Sequence, residues 1–434
     1  PVLRILRRAG GLADDRGWPL ALGGGLVRDL LLIDAPAAKA DVDLVVEGDA
    51  RELARRLSED LVGGVRARPR EHPTFLTATV DLPSGARVDV TTARRERYRV
   101  PGALPEVEPA SIERDLWRRD FSVNAIAARL NSGAWGQVLD PTGGLDDLRQ
   151  RRIRVLHPLS FLEDPTRLFR AVRFAARLGG RLEPTTRHLF TEAVRLPVYS
   201  ALSGDRLRAE LTLARREDGP SAVLARLGRA GAFRLLLPEY RFGARVGELL
   251  ERVARAERAL PLTGETREGL YILALTAHLA SEEVAAWADR LGLPPPARQA
   301  IERARRDADE ILTRLDNVDG PATAYRSLTR VSEISAAWAR ARARRRRTRA
   351  YIDAHFREWK AMRPLLTGED LKAQGIAPGP AMGRLLEKLR VAQVTGDIRD
   401  RREAIVWARE AVGPRGRASH GFPRSRIRPR SRGG

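Results

Sequence analysis

The sequence predicts an α+β protein: an N-terminal head that mixes β-strands and helices in one sheet-containing layer, followed by an all-helical remainder. Three observations carry this reading. Short β-branched runs broken by Gly and Pro fill the first 150 residues. From Pro158 onward the texture shifts to Leu, Ala and Arg, with apolar residues three and four apart. The 434 residues are 43% hydrophobic, enough for two to four units with cores of their own at roughly 100–200 residues per domain.

The strand candidates in the head are Val42 to Val46, Leu76 to Val80 and Arg87 to Thr91, each with the alternation of a half-buried strand. In the helical part, breaks are expected near Leu196-Pro197, Gly219-Pro220, Leu260-Pro261, Pro294-Pro295-Pro296, Gly320-Pro321 and Pro378-Gly379-Pro380. Proline lacks the amide hydrogen that a helix interior needs, so such positions end or separate helices. No repeat of fixed period runs through the chain. The last 21 residues alternate Arg with Pro, Ser and Gly and are expected to be disordered.

The absence of cysteine excludes a disulfide-linked scaffold or partner, a thiolate zinc site and a cysteine nucleophile. No apolar run reaches the length of a membrane span and no leader pattern opens the chain, which points to the cytoplasm. A chain opening on Pro1 rather than Met reads as a segment of a longer protein. The net charge of +22 calls for a polyanionic partner, nucleic acid ahead of a membrane surface. Residues 414 to 434 carry seven arginines and no acid, so +15 stays on the other 413 residues. An arginine-rich genome would also raise this count.

Four constellations could carry chemistry. Leu22-Gly23-Gly24-Gly25-Leu26-Val27-Arg28 is a glycine run entering an apolar helix, where backbone amides and Arg28 could approach a phosphate. The alternative is a plain strand-to-helix turn. In Lys39-Ala40-Asp41-Val42-Asp43-Leu44, strand alternation puts Asp41 and Asp43 on one face, and two carboxylates so placed repel unless a hard cation such as Mg²⁺ lies between them. Asp89, on a later strand, could converge on the same point; a solvated strand edge is the alternative. Arg118-Arg119-Asp120, with Asn124, offers bonds to phosphate and sugar hydroxyls, or a salt-bridged surface. In Glu163-Asp164-Pro165-Thr166-Arg167, Asp164 and Arg167 are expected to share a helix face, with Arg170 and Arg173 following. An acid beside an arginine can present both acceptor and donor edges to a nucleobase, or be an ordinary ion pair.

In order and spacing these motifs resemble the class II tRNA nucleotidyltransferases and the similar bacterial poly(A) polymerases, members of the nucleotidyltransferase superfamily. The resemblance runs from about Pro19 to Glu210, with a fainter echo from Leu366 to Gly383. It implies that Gly23, Gly24, Gly25 and Arg28 hold the triphosphate of CTP or ATP. It implies that Asp41 and Asp43 bind two Mg²⁺ ions, with Asp89 as an auxiliary catalytic carboxylate. By the same resemblance Arg118, Arg119, Asp120 and Asn124 contact ribose. Asp164 and Arg167 read the base, Glu163 holds them, and Arg170 and Arg173 reach phosphate or brace that pair. The family usually has Glu-Arg where this chain has Asp205-Arg206, a shorter acid.

The activity so implied is template-independent addition of C, A or both to the tRNA 3′ end, by in-line attack of the RNA 3′-hydroxyl on the α-phosphate with release of pyrophosphate. The expected division is a catalytic head over 1–150, a helical neck over 151–215, an RNA-binding body over 216–320, a tRNA-binding tail over 321–413 and the disordered terminus. Arg340, Arg344, Arg345, Arg346 and Arg347 would track tRNA phosphates, the alternative being a solvated helix face. The six histidines form no pair, which argues against an appended phosphohydrolase. Rival readings are a poly(A) polymerase, an A-only or CC-only enzyme, and a non-catalytic RNA-binding protein on a degenerate transferase fold.

Overall fold

The computed structural model describes residues 2–32, 41–62, 69–82, 85 and 87–412. The arginine-rich terminus and Lys39 lie outside them. The described residues fall into two compact units: one lies within 1–255 and 268–301, the other within 256–267 and 302–412.

The first unit begins with α1 (Val2–Asp14), β1 (Leu20–Gly23), α2 (Gly24–Leu31), β2 (Asp41–Val46) and α3 (Ala50–Val62). Strands β3 (Arg70–His72), β4 (Thr77–Asp81) and β5 (Arg87–Thr92) follow, then a separate hairpin of β6 (Arg94–Arg97) and β7 (Glu106–Pro109). After α4 (Ile112–Trp117) come β8 (Ala127–Arg129) and β9 (Val138–Leu139). Seven strands form one mixed sheet in the order β3-β4-β5-β2-β1-β8-β9, with β2 and β5 parallel and their other neighbours antiparallel. The three predicted strands are β2, β4 and β5.

Alternation along β2 divides the two sheet faces. Val42, Leu44 and Val46 are fully buried on one face, while Asp41, Asp43 and Val45 share the other. Toward its far end that second face is closed by Ala21, Val45, Ile112, Leu116, Ala125 and Ala127, which form one apolar cluster under α4. The carboxylates therefore stand where apolar cover stops.

The chain then turns helical, as expected. After α5 (Gly144–Arg149) and β10 (Arg152–Ile153) come α6 (Ser160–Glu163), α7 (Thr166–Arg177), β11 (Arg181–Leu182), α8 (Pro184–Ala193), α9 (Gly204–Arg215) and α10 (Pro220–Arg229). Helices α11 (Ala244–Ala259), α12 (Gly264–Leu275), α13 (Ser281–Arg290) and α14 (Pro295–Asp316) continue the chain. Each predicted proline break separates two helices, and Pro220 and Pro321 each open one, where the missing amide costs nothing.

The second unit contains α15 (Pro321–Leu328), α16 (Glu333–Arg342), α17 (Arg346–Ala354), a π-helical turn at His355–Trp359, and α18 (Gly368–Ala373), α19 (Pro380–Thr395) and α20 (Arg401–Val412). Its apolar cluster gathers Leu366, Leu371, Met382, Leu385, Leu389 and Ile398. Thr367 and Asp370 cap α18 reciprocally: the Thr367 hydroxyl accepts from the Asp370 amide, and Asp370 accepts from the Thr367 amide at 2.7 Å.

The predicted arginine track is not one continuous helix face. The chain breaks between α16 and α17, and Arg340 is tied to Asp353 at 2.9 Å. Arg345 donates to the Asp316 carbonyl at 2.9 Å and Arg347 to the Tyr351 hydroxyl at 2.7 Å. Trp338, just before these arginines, is buried, while Arg344 to Arg347 are exposed.

Candidate active site

Four adjacent strands set four residues in a row across the sheet. Gly23 lies opposite Asp43, Asp43 beside Asp89, and Asp89 opposite Thr79. Asp41 projects from the same face two residues before Asp43. The Thr79 hydroxyl donates to Asp89 at 2.6 Å, so one carboxylate of the row is fixed from its far side. Burial pushes the Asp43 carboxyl up to about 6; Asp89 and Asp41 add to the rise, and Arg119 opposes it. Two facing acids with so little compensating charge are a donor set for a hard divalent cation. Among the described residues no group of three or more His, Asp or Glu forms a ligand cage. A pair of carboxylates would suit an ion that keeps its remaining positions for water and phosphate oxygens.

The glycines make this row possible. Gly24 has φ +70°, and a Cβ there would overlap the Asp43 carboxylate, so any side chain would expel the acid from its place. A Cβ on Gly23 would come within 2.8 Å of the Arg119 guanidinium. Gly25, in the first turn of α2, lines the same cleft as Arg28 one turn on. Arg28 is 2% exposed, donating to Asn124 at 2.6 Å and to Asp29 at 2.7 Å.

The Arg118-Arg119-Asp120 triplet is ion-paired, though in the wall of a cleft rather than on an open surface. Fully buried Asp115 accepts from both arginines, Arg118 at 2.7 Å and Arg119 at 3.2 Å. Arg118 also donates to Glu96 at 2.8 Å, and Arg119 to the Asn124 carbonyl at 3.3 Å. Burial alone would raise the Asp120 pKa, but Arg170 and Asn124 outweigh it and hold the acid below its ordinary value. Arg170 reaches Asp120 at 2.8 Å and Arg173 reaches Glu217 at 3.2 Å.

Asp164 and Arg167 both line the cleft but do not share a helix face. Asp164 is extended (φ −130°, ψ 95°) because Pro165 follows it, and its carboxylate accepts from the Thr166 amide at 3.0 Å as α7 begins. Its partner is Arg206 of α9, at 2.7 Å. Arg167 instead donates to the Ser160 hydroxyl at 2.8 Å and to the Arg118 carbonyl at 3.1 Å. Glu163, expected to hold the pair, lies 3.3 Å from His157. Exposed Asp205 pairs with Arg208 at 2.9 Å, so the shorter acid is not the brace; Arg206 and Glu210 are.

One cleft of about 550 Å³ takes in Gly24, Arg28, Asp43, Arg119, Asp164 and Arg170, whereas Gly23, Asp41, Asp89 and Arg173 stand outside its lining. Residues that the sequence reading missed complete it. Phe75, Arg94, Glu96 and Tyr98 reach it from β5–β7 and the turn before β4, and Phe174 and Arg177 from α7. Helical spacing from Arg170 and Arg173 marks Phe174 and Arg177 as facing the same way; no local signal marks the others.

Residues 20–154 match the poly A polymerase head domain. The A-adding tRNA nucleotidyltransferase of Halalkalibacterium halodurans is 32% identical over 413 residues, 94% of this chain and 92% of that protein. The chain belongs to the tRNA nucleotidyltransferase family. The CC-adding tRNA nucleotidyltransferase of Deinococcus radiodurans is 33% identical, over 92% of this chain and 91% of that protein. Against the A-adding enzyme of Geobacter sulfurreducens, 34% identical, the match covers 92% of this chain but 46% of that protein, so the chain spans about half its length. The solved Thermotoga maritima CCA-adding enzyme complexed with tRNA superposes with a TM-score of 0.74 at 29% identity, over 95% of each chain. The mixed sheet with a helical remainder is thus the tRNA nucleotidyltransferase fold. Among the described residues no helix is long and apolar enough to cross a membrane.

Proposed function

We propose that this protein is a template-independent tRNA 3′-terminal nucleotidyltransferase that adds C, A or both from CTP and ATP, in the cytoplasm. The observation that carries the proposal is the row Gly23, Asp43, Asp89, Thr79, from which Asp43 enters a single arginine-lined cleft. A nucleoside triphosphate is polyanionic, and Arg28, Arg119 and Arg170 supply the cationic, donor-rich surface that would bind it. Asp41 and Asp43 would hold two Mg²⁺ ions, which when bound activate the attacking hydroxyl and neutralise the leaving pyrophosphate.

The protein's own groups position the reactants. Arg118, Arg119, Asp120 and Asn124 form a rigid hydrogen-bonded strip suited to a ribose with both hydroxyls. Asp164, aimed by Arg206, and Arg167, aimed by Ser160, present acceptor and donor edges to one base. In this reading the head spans 1–150, the neck 151–215, the body 216–320 and the tail 321–413, with the exposed arginines 344 to 347 tracking RNA phosphate.

The match of residues 20–154 to the poly A polymerase head domain supports a second reading, a poly(A) polymerase. One experiment separates the readings. Purified protein is given tRNA transcripts ending in the discriminator base, in C and in CC, with CTP and ATP supplied separately. Extension confined to the CC-ended transcript with ATP defines an A-adding enzyme; extension with CTP alone, stopping at CC, defines a CC-adding one. Long A tails on unrelated RNA would overturn the tRNA assignment.

A further inference from the structure

Four arginines surround one aromatic ring at the cleft. The guanidinium carbons of Arg173, Arg28, Arg170 and Arg177 lie 4.9, 5.2, 5.4 and 5.6 Å from the centroid of Phe174. All four distances fall within cation–π reach. Four like charges so close repel one another, and burial weakens the screening that would relieve them. Carboxylates supply part of the compensation: Asp29 for Arg28, Asp120 for Arg170, and Glu217 for Arg173 and Arg177. The ring supplies something a carboxylate cannot, an electron-rich face that attracts a guanidinium without consuming its donors. Phe174 is itself 5% exposed, fixed edge-on to Phe121 at 5.9 Å, and lines the cleft with Arg28, Arg170 and Arg177.

We propose that Phe174 is a positioning residue for the triphosphate: its ring spaces Arg28, Arg170 and Arg177 so that their remaining donors meet phosphate oxygens together. This rests on the transferase reading, because it takes the cleft to bind a polyphosphate. A leucine at 174 would fill most of the volume but offer no face, leaving the arginines free to splay apart. Tyrosine would restore the face.

The test is equilibrium binding of inorganic tripolyphosphate by calorimetry, with wild type, Phe174→Leu, Phe174→Met and Phe174→Tyr, each checked by thermal melting. The Leu and Met variants are expected to bind roughly five- to tenfold more weakly, with Phe174→Tyr within about twofold of wild type. In transfer assays the same variants should raise the nucleotide KM by that factor while the KM for RNA stays unchanged. Wild-type affinity in a folded Leu or Met variant overturns the proposal, as does an equal loss in the Tyr variant or a wild type that does not bind tripolyphosphate. A wild type that binds tripolyphosphate but transfers nothing would leave the ring's role standing and sink the transferase reading instead.

Discussion

Arg206 donates to the Asp164 carboxylate at 2.7 Å across 42 positions of sequence, and with its other nitrogen to the Gly102 carbonyl at 2.8 Å. One side chain of α9 thereby fixes both an acid at the mouth of α7 and the turn of the β6–β7 hairpin. If Asp164 reads the base, Arg206 sets its direction. Arg206→Ala should lower kcat/KM for the preferred nucleotide about 10- to 100-fold, the worth of a charge-assisted bond, and should narrow the gap to the wrong nucleotide. Asp205→Ala, which removes an exposed acid and frees only Arg208, should leave both within about twofold. Competition between CTP and ATP on one transcript measures this.

Glu96 gathers three donors in a side chain only 7% exposed: Arg118 at 2.8 Å, Arg94 at 3.1 Å and the Tyr98 hydroxyl at 2.9 Å. It joins the hairpin to the Arg118-Arg119 segment of the cleft wall. Removing it leaves Arg94 and Arg118 half-buried with less counter-charge, so Glu96→Ala should cost about 2–3 kcal/mol in urea denaturation. It should also speed hydrogen exchange of the amides in 94–109. Unchanged exchange there would show that the hairpin is anchored by its Arg95–Glu108 and Arg99–Glu106 pairs alone.

Why the sequence revealed some of this and not the rest follows from how far each relation reaches. Asp41 and Asp43 share a strand, so period-two alternation places them on one face without knowledge of the fold. The glycine run before an apolar helix was readable as a place of close backbone approach, but to a phosphate; that Asp43 is what crowds Gly24 depends on the pairing of β1 with β2. The Asp164–Arg167 pair was misplaced, although Asp-Pro is a local signal that helix begins after, not at, the acid. The Arg206–Asp164 and Arg118–Glu96 bonds are decided by packing between distant segments, which no local pattern carries. The β6–β7 hairpin escaped because Arg94 to Arg97 and Glu106 to Pro109 hold few apolar residues, and cross-strand ion pairs do the work that alternation normally reveals.

In the second unit, exposure divides the arginines that sequence grouped together. Arg346→Ala should reduce the slope of log affinity for tRNA against log salt by about one, as for one lost phosphate contact. Arg340→Ala should instead lower the melting temperature, because Asp353 loses its partner, with little change in salt slope. Equal slopes for wild type and Arg346→Ala would assign that surface to solvent.

The raised Asp43 carboxyl makes a signed prediction about stability. With a folded pKa of about 6 against an ordinary 3.8, the folded protein holds this proton longer than the unfolded chain does. Metal-free protein therefore loses stability as pH rises from about 4 to about 6, then carries a constant cost of about 3 kcal/mol above it. In EDTA, Asp43→Asn should melt above wild type at pH 7.5 and close to it at pH 4.5. Mg²⁺ should raise the wild-type midpoint and leave the variant's unmoved.

The most direct test of the account is the rate of nucleotide incorporation by Asp43→Asn, on whichever transcript and nucleotide the wild type extends, with melting as the check that the variant is folded. If Asp43 carries the metal-dependent transfer, the rate should fall about a thousandfold or more. A folded Asp43→Asn protein working within tenfold of wild type would contradict the assignment of this cleft as the active site.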